Sequence, residues 1–129
     1  MKLAHIMLRV SDAEKSLEFY EKLFGFSLSK TMELDDAILY FLASPDGNTQ
    51  IELTYNFDTP KEGYSQGNAF GHLAFEVDSI SDFSNKMSNL GFGQINEIYP
   101  MSAYNIQIAF LQDPDGNNIE LIEQTYYLA

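Results

Sequence analysis

The sequence predicts an α+β fold made of two tandem β-α-β-β-β units, each forming a curved mixed sheet. The first observation is a repeated turn, Pro-Asp-Gly-Asn, at residues 45–48 and 114–117. The second is that each turn leads into a strand in which a Glu lies between Ile and Leu. The third is that the same succession of strand, helix and extended segments comes before each turn, which is typical of an internal duplication.

Each repeat opens with a short alternating strand, within residues 3–10 and 71–77, and continues into a helix. Apolar residues then recur at helical spacing behind a capping side chain, and a glycine ends each helix. The expected caps are Ser11 or Asp12 and Ser79 or Ser81, the apolar positions are Leu17, Tyr20, Leu23 and Phe24 and then Ile80, Phe83, Met87 and Leu90, and the final glycines are Gly25 and Gly91.

Apolar strands at residues 37–43 and 105–111 come before the two turns. The spacing of the copies is nearly equal, because 47 residues separate the His of the first strand from the repeated Glu in one copy and 48 in the other. We assign this difference to the final hairpin. The repeats therefore span about residues 3–56 and 70–123, within a single domain of residues 1–129.

Composition excludes several classes of protein. The chain of 129 residues is 45% apolar, enough for one packed core. Its formal net charge of -12 repels nucleic acid and anionic lipid, so we expect no nucleic-acid partner and no membrane association. Cysteine is absent, which excludes disulfides and thiolate sites, and no apolar run reaches the length of a membrane span. A cytoplasmic protein is expected.

Strand parity places one His and one Glu of each repeat on the sheet face that does not cover the helix. Alternate strand residues point to opposite faces, and the apolar partners of these side chains occupy the other face. If the first and last strands of a unit are neighbours and two such sheets face each other, the four side chains line one cup. They are His5, Glu52, His72 and Glu120.

Two imidazoles and two carboxylates form a recognisable site for a borderline divalent cation with positions left open for substrate. A single His or Glu in a strand is more often an ordinary polar residue than a ligand. Here, however, the chain has only two histidines, and each occupies the same place in its repeat. The pattern therefore predicts a metal-containing cup. The repeated turns are structural, since Pro, Gly, Asp and Asn set the local backbone geometry.

These features resemble the vicinal-oxygen-chelate superfamily and, within it, the glyoxalase I (lactoylglutathione lyase) family. The resemblance covers essentially the whole chain, and the motifs that carry it are HIMLRV (5–10), IELTYN (51–56), GHLAFEV (71–77) and DPDGNNIELIE (113–123). It implies that His5, Glu52, His72 and Glu120 bind the metal. It also implies that Arg9 and Asn56 contact the γ-glutamyl end of glutathione. The short chain looks like the bacterial form that prefers nickel or cobalt over zinc.

The expected reaction converts the hemithioacetal of methylglyoxal and a thiol into an S-2-hydroxyacyl thiol, a methylglyoxal detoxification without a redox cofactor. A divalent cation bound to two neighbouring substrate oxygens stabilises an enediolate while a Glu moves the proton. We expect Glu120 to be the main base and Glu52 its partner on the opposite face. Arg9, the only arginine, supplies charge complementarity to an anionic thiol carrier, unless it forms a salt bridge at the rim.

One segment departs from the family pattern. The loop that closes over the glycine end of glutathione usually contains Gly and Lys, whereas residues 97–107 here contain neither. Tyr99, Met101 and Tyr104 are candidates for an apolar lid, and Lys61 is the only cation in the loop of residues 57–68. Either backbone amides bind the glycyl carboxylate or the thiol carrier is not glutathione.

Three other functions fit parts of the pattern. An acyl-CoA epimerase of the methylmalonyl-CoA type uses the same chemistry but typically has Gln at the position of Glu52. An extradiol dioxygenase needs only two His and one Glu and is usually larger. A metal-free binding protein of the bleomycin-resistance kind needs no metal-ligating residues. Each repeat supplies half of the metal ligands, so the site forms within one chain or between two, and a homodimer is expected.

Overall fold

The structure is a computed structural model, and it describes residues 1–125. The chain divides into two compact units, Met1–Ser65 and Gln66–Ala129. One expected repeat falls in each unit. The single domain expected over residues 1–129 includes residues 126–129, which lie outside the described part, and it stays a prediction.

The first unit is a four-stranded sheet with one helix. The strand order is β1-β4-β3-β2, in which β1 runs parallel to β4 and the other neighbours are antiparallel. Its elements are β1 (Ile6–Arg9), α1 (Ala13–Phe24), β2 (Ser27–Glu33), β3 (Ala37–Ala43) and β4 (Gln50–Asn56).

The second unit repeats this topology, with strand order β5-β8-β7-β6 and β5 parallel to β8. A short 3₁₀ turn, Ser102–Tyr104, follows the third of its elements. The elements are β5 (Leu73–Glu76), α2 (Ile80–Asn89), β6 (Tyr99–Met101), β7 (Ile106–Gln112) and β8 (Asn118–Gln124). The predicted α+β fold of two tandem β-α-β-β-β units with mixed sheets is confirmed.

Both helices begin at one of the caps expected from the sequence. The side chain of Asp12 accepts a hydrogen bond from the backbone N–H of Lys15, and that of Ser79 accepts one from Asp82, both at 3.1 Å. Such caps contribute about 1 kcal/mol each. At the end of α1, Gly25 has a φ of +73°, a conformation that favours glycine.

A buried carboxylate also contacts the start of α2. Glu123, only 6% exposed, accepts a hydrogen bond from the backbone N–H of Ile80 at 2.6 Å and another from the side chain of Gln107 at 3.0 Å. The negative charge lies where the free N–H groups of a helix carry partial positive charge. This contact joins β7, β8 and α2 in one polar network.

The buried helix faces differ in part from the expected ones. In α1 the buried residues are Ser16, Phe19, Tyr20 and Leu23, whereas Leu17 and Phe24 are half-buried. The face is therefore rotated toward Phe19, which the apolar pattern had not included. In α2 the predictions for Ile80, Phe83 and Met87 are confirmed, but Leu90 is 41% exposed because it caps the helix rather than lying within it.

The two hairpins differ in length by one residue, but the longer one is in the first unit. Phe41 pairs with Glu52 eleven residues later, whereas Phe110 pairs with Glu120 ten residues later. The assignment of the extra residue of the second repeat to its hairpin was wrong. The additional length of that repeat lies between its His and β7.

No helix within residues 1–125 is long and apolar enough to cross a membrane.

Candidate functional site

In the first unit, the expected His and Glu are brought together by the parallel pairing of β1 and β4. Met7 is the register partner of Glu52, so the side chain of His5, two residues earlier, shares that face. Nε2 of His5 lies 3.1 Å from Oε1 of Glu52. Glu52 is buried, whereas the His5 side chain is 36% exposed.

The second unit contains the same arrangement. Ala74 is the register partner of Glu120 in the parallel pair of β5 and β8, and His72 precedes Ala74 by two residues. Nε2 of His72 lies 3.4 Å from Oε1 of Glu120. Strand parity therefore places each His on the face of the Glu in its own unit, and both contacts are present.

Each imidazole is also held by an aromatic ring that the sequence reasoning missed. Phe41 packs edge-to-face on His5, and Phe110 packs edge-to-face on His72, in both cases with ring centroids 5.4 Å apart. The signal was present in the sequence, since β3 and β7 each carry a Phe at the register position of the repeated Glu. His, Glu and Phe thus form one triplet in each unit.

The donor atoms of each pair suit a divalent cation. Metal–nitrogen and metal–oxygen bonds of about 2.1 Å separate two adjacent ligand atoms by about 3.0 Å at right angles and about 3.4 Å in a tetrahedron. The observed separations of 3.1 and 3.4 Å fall at these values. Within residues 1–125 no group of three or more His, Asp or Glu side chains is clustered closely enough to hold a metal ion.

The surroundings of the two carboxylates differ. In the first unit, the hydroxyl of Thr54 donates a hydrogen bond to Oε2 of Glu52, and both residues are buried. In the second unit, Ile122 occupies the position of Thr54, because it too lies two residues after the Glu on the last strand. The Glu120 side chain is 17% exposed, compared with 10% for Glu52.

The residues expected to contact substrate lie on the His–Glu face of the first unit. Arg9 is the register partner of Thr54, and Asn56 follows Thr54 by two residues on β4. The Arg9 side chain forms no ion pair with any acid in the described part of the chain. Oδ1 of Asn56 is buried and has no hydrogen-bond partner there either. Arg9 is exposed, whereas Oδ1 of Asn56 is closed off from solvent.

The corresponding positions of the second unit have different chemistry. Glu76 is the register partner of Ile122 and so occupies the place that Arg9 has in the first unit. Gln124 lies at the place of Asn56. The pairing of a cation with a short amide is therefore a property of the first unit.

The segment of residues 97–107 forms β6 and the 3₁₀ turn. The side chains of Tyr99, Met101 and Tyr104 are exposed there, and their role as a lid stays a prediction. A separate open cavity of about 500 Å³ in the second unit lies beside the end of α2, between Met87 and Asn118. Neither His72 nor Glu120 lines it, so it is not part of the candidate site.

Comparison with known proteins defines the class. Residues 2–121 match the model of the Glyoxalase/Bleomycin resistance protein/Dioxygenase superfamily, and the chain belongs to this family. Among its relatives is the lactoylglutathione lyase of Neisseria meningitidis serogroup A, which is 39% identical over 128 residues, covering 96% of this chain and 91% of the relative. The lactoylglutathione lyase of Escherichia coli O157:H7 is 40% identical over 129 residues, covering 96% and 93%.

A solved structure with the same fold is glyoxalase I from Zea mays, with a TM-score of 0.82 and 30% sequence identity. The match covers 96% of this chain and spans 45% of the length of the maize chain. The resemblance to glyoxalase I predicted from the motifs is confirmed.

Proposed function

We propose that the protein is a lactoylglutathione lyase that isomerises the hemithioacetal of methylglyoxal and glutathione, or another thiol, to an S-2-hydroxyacyl thiol. The observation that carries the proposal is the pair of His–Glu contacts, 3.1 and 3.4 Å, at the same place in both units. Support comes from relatives of nearly the same length, about 40% identical, that are named for this activity.

The proposed metal ligands are Nε2 of both histidines and the carboxylates of both glutamates. One divalent cation bound by the four residues would supply Lewis-acid polarisation of two neighbouring substrate oxygens. Nitrogen and carboxylate donors without thiolate suit nickel, cobalt or zinc. Nickel or cobalt is proposed because of the resemblance to short bacterial enzymes.

The chemical step moves one proton between two carbons. Glu120 accepts the proton from C1 of the hemithioacetal, the carbon that bears sulfur, and the proton is returned to C2. The C1 hydroxyl loses its proton and becomes the thioester carbonyl, while the C2 carbonyl oxygen gains a proton and becomes a hydroxyl, so substrate and product are isomers. Glu52 is the partner carboxylate on the opposite face of the substrate. No oxidant or reductant is consumed.

Arg9 and Asn56 are proposed to bind the γ-glutamyl end of the thiol carrier. The guanidinium of Arg9 is exposed and forms no ion pair with a described acid, and the buried Oδ1 of Asn56 lacks a protein donor. A ligand carboxylate pairs with Arg9, and a ligand ammonium group bonds to Oδ1 of Asn56 once the Asn56 side chain turns toward the ligand. In a chain of net charge -12, an anionic carrier needs such a local cation.

Fewer residues are candidates for binding the glycyl end of the thiol carrier. Residues 97–107 contain no Lys and no Gly, so no side-chain cation there binds the glycyl carboxylate of glutathione. Backbone amides of this segment, or Lys61 on the loop after β4, are the remaining donors. A thiol without that carboxylate is the alternative.

Each unit supplies two of the four proposed ligands, and the complete site belongs either to one chain or to a homodimer in which two chains share it. Mixing a His5→Ala protein with a His72→Ala protein separates these arrangements. Activity recovered through hybrid dimers indicates a shared site, and no recovery indicates a site within one chain. The proposal includes a cytoplasmic location, which fractionation of the source cells tests.

The function is tested by assaying thioester formation from methylglyoxal with glutathione and with other low-molecular-weight thiols. Metal-free protein is assayed after addition of nickel, cobalt or zinc. We expect turnover that requires metal and is highest with nickel or cobalt. Absence of turnover with every thiol and metal, in protein that binds nickel, would contradict the lyase function.

A further inference from the structure

We propose that Thr54 is a positioning residue that fixes Glu52 and thereby makes the two carboxylates of the site unequal. The inference rests on the proposed function and deepens it. Glu52 becomes the restrained ligand, whereas Glu120, already proposed as the base, lacks a second polar contact.

Both oxygens of Glu52 have a partner within the first unit. Oε1 faces Nε2 of His5 at 3.1 Å, and Oε2 accepts the hydrogen bond from the Thr54 hydroxyl. Thr54 is itself 5% exposed, and its β-branched side chain has few alternative rotamers. The carboxylate plane of Glu52 is therefore set by two contacts before any ligand arrives.

Glu120 lacks the second contact. Within residues 1–125, its carboxylate pairs only with His72, at 3.4 Å, and the residue at the place of Thr54 is Ile122, which has no hydroxyl. The strands of the two units pair in the same register, and Ile122 in place of Thr54 removes the one hydroxyl that bonds to the carboxylate in the first unit. Rotation of Glu120 away from His72 breaks one polar contact, whereas rotation of Glu52 breaks two.

This difference suits the two tasks of binding the cation and moving the proton. A ligand oriented by an outer hydrogen bond binds its cation more tightly, and loss of such a bond typically costs about 10- to 100-fold in metal affinity. A group that takes a proton from one carbon and returns it to the next must move by about the length of a bond. We therefore assign retention of the cation to Glu52 with Thr54, and assign to Ile122 the absence of a second polar contact on Glu120, the proposed base.

The test measures nickel affinity of metal-free protein by competition with a chelator, together with kcat. Thr54→Val, which keeps the shape and removes the hydroxyl, is expected to weaken nickel binding by about 10- to 100-fold. Thr54→Ser is expected to restore most of the affinity. Ile122→Thr places a hydroxyl beside Glu120 and is expected to lower kcat about tenfold or more without weakening nickel binding. Ile122→Val and the melting temperature of each variant control for packing.

Equal nickel affinity of the wild type and Thr54→Val would overturn the inference, and so would an equal loss in Thr54→Val and Thr54→Ser, which would indicate packing alone. Unchanged kcat in Ile122→Thr would overturn the role assigned to Ile122. These outcomes leave the proposed function intact. A wild-type protein that binds none of nickel, cobalt and zinc would instead contradict the proposed function itself.

Discussion

Phe110 faces Glu120 across the antiparallel pair of β7 and β8 and packs at the same time on the imidazole of His72, at an interplanar angle of 80°. Phe41 has the same relation to Glu52 and His5, at the same angle. The aromatic ring therefore orients the imidazole of each pair while the neighbouring strand carries the carboxylate. The duplication preserved a triplet of side chains rather than isolated ligands.

Replacing either Phe by Leu should loosen the imidazole it contacts. An aromatic pair contributes about 0.5–1.5 kcal/mol beyond the area it buries, so Phe41→Leu and Phe110→Leu should each weaken nickel binding by up to about tenfold. Calorimetric titration measures this. Phe26→Leu, which alters a buried ring of the core, is the control and should lower the melting temperature without changing nickel affinity. If Phe41→Leu and Phe110→Leu bind nickel as tightly as Phe26→Leu does, the two rings do not orient the imidazoles.

Arg9→Gln should raise KM for the glutathione hemithioacetal by about tenfold with little change in kcat. An interaction with the carrier, remote from the reacting carbons, contributes equally to ground-state and transition-state binding. Steady-state kinetics measures both constants. Lys22→Gln makes the same change in net charge on the exposed surface of α1, where Lys22 pairs with Glu18. If both variants raise KM equally, Arg9 acts only through the overall charge.

Helix α2 should depend on the buried carboxylate at its start. Glu123→Ala leaves the N–H of Ile80 and the amide of Gln107 without their acceptor, which should lower the free energy of unfolding by about 1–3 kcal/mol. Urea unfolding measures the change. Glu18→Ala removes an exposed ion pair and should cost less than about 0.5 kcal/mol. A smaller loss for Glu123→Ala than for Glu18→Ala would contradict the helix contact.

Stability should depend on pH through Asp46, in the turn of the first hairpin. The hydroxyl of Ser44, which donates to Oδ1 of Asp46 at 2.6 Å, lowers the pKa of Asp46. The charged form is favoured in the folded state, so this contribution to stability is present above the ordinary pKa of Asp and is lost as pH falls through the lowered value. Ser44→Ala should raise the pKa of Asp46 toward its ordinary value in an NMR titration. An unchanged pKa would show that the backbone N–H of Asn48 is sufficient.

Much of the fold follows from local rules. Alternation in β1, β4, β5 and β8 indicates which side chains share a face, and the repeat indicates which strands are equivalent. The paired His and Glu of each unit were predictable for these reasons. The helix caps at Asp12 and Ser79 were each one of two candidates, and only the backbone geometry selects between them.

Other features depend on contacts between distant parts of the chain. Glu123 contacts Ile80 across 43 positions, and no periodicity of β8 marks it as a helix cap. The rotated face of α1 shows the same limit, because the apolar spacing of Leu17 and Tyr20 fits a stripe that tertiary packing shifted toward Ser16 and Phe19. The contrast between Thr54 and Ile122 is visible in the sequence, but its meaning depends on where the Glu carboxylate points.

The central claim is that two His and two Glu bind one cation together. Titration of nickel into metal-free protein, with the wild type and His5→Gln, Glu52→Gln, His72→Gln and Glu120→Gln, tests it most directly. We predict at most one ion per chain in the wild type and a loss of affinity of about 100-fold or more in every variant. Two ions per chain, with each substitution removing only the ion of its own unit, would contradict the claim.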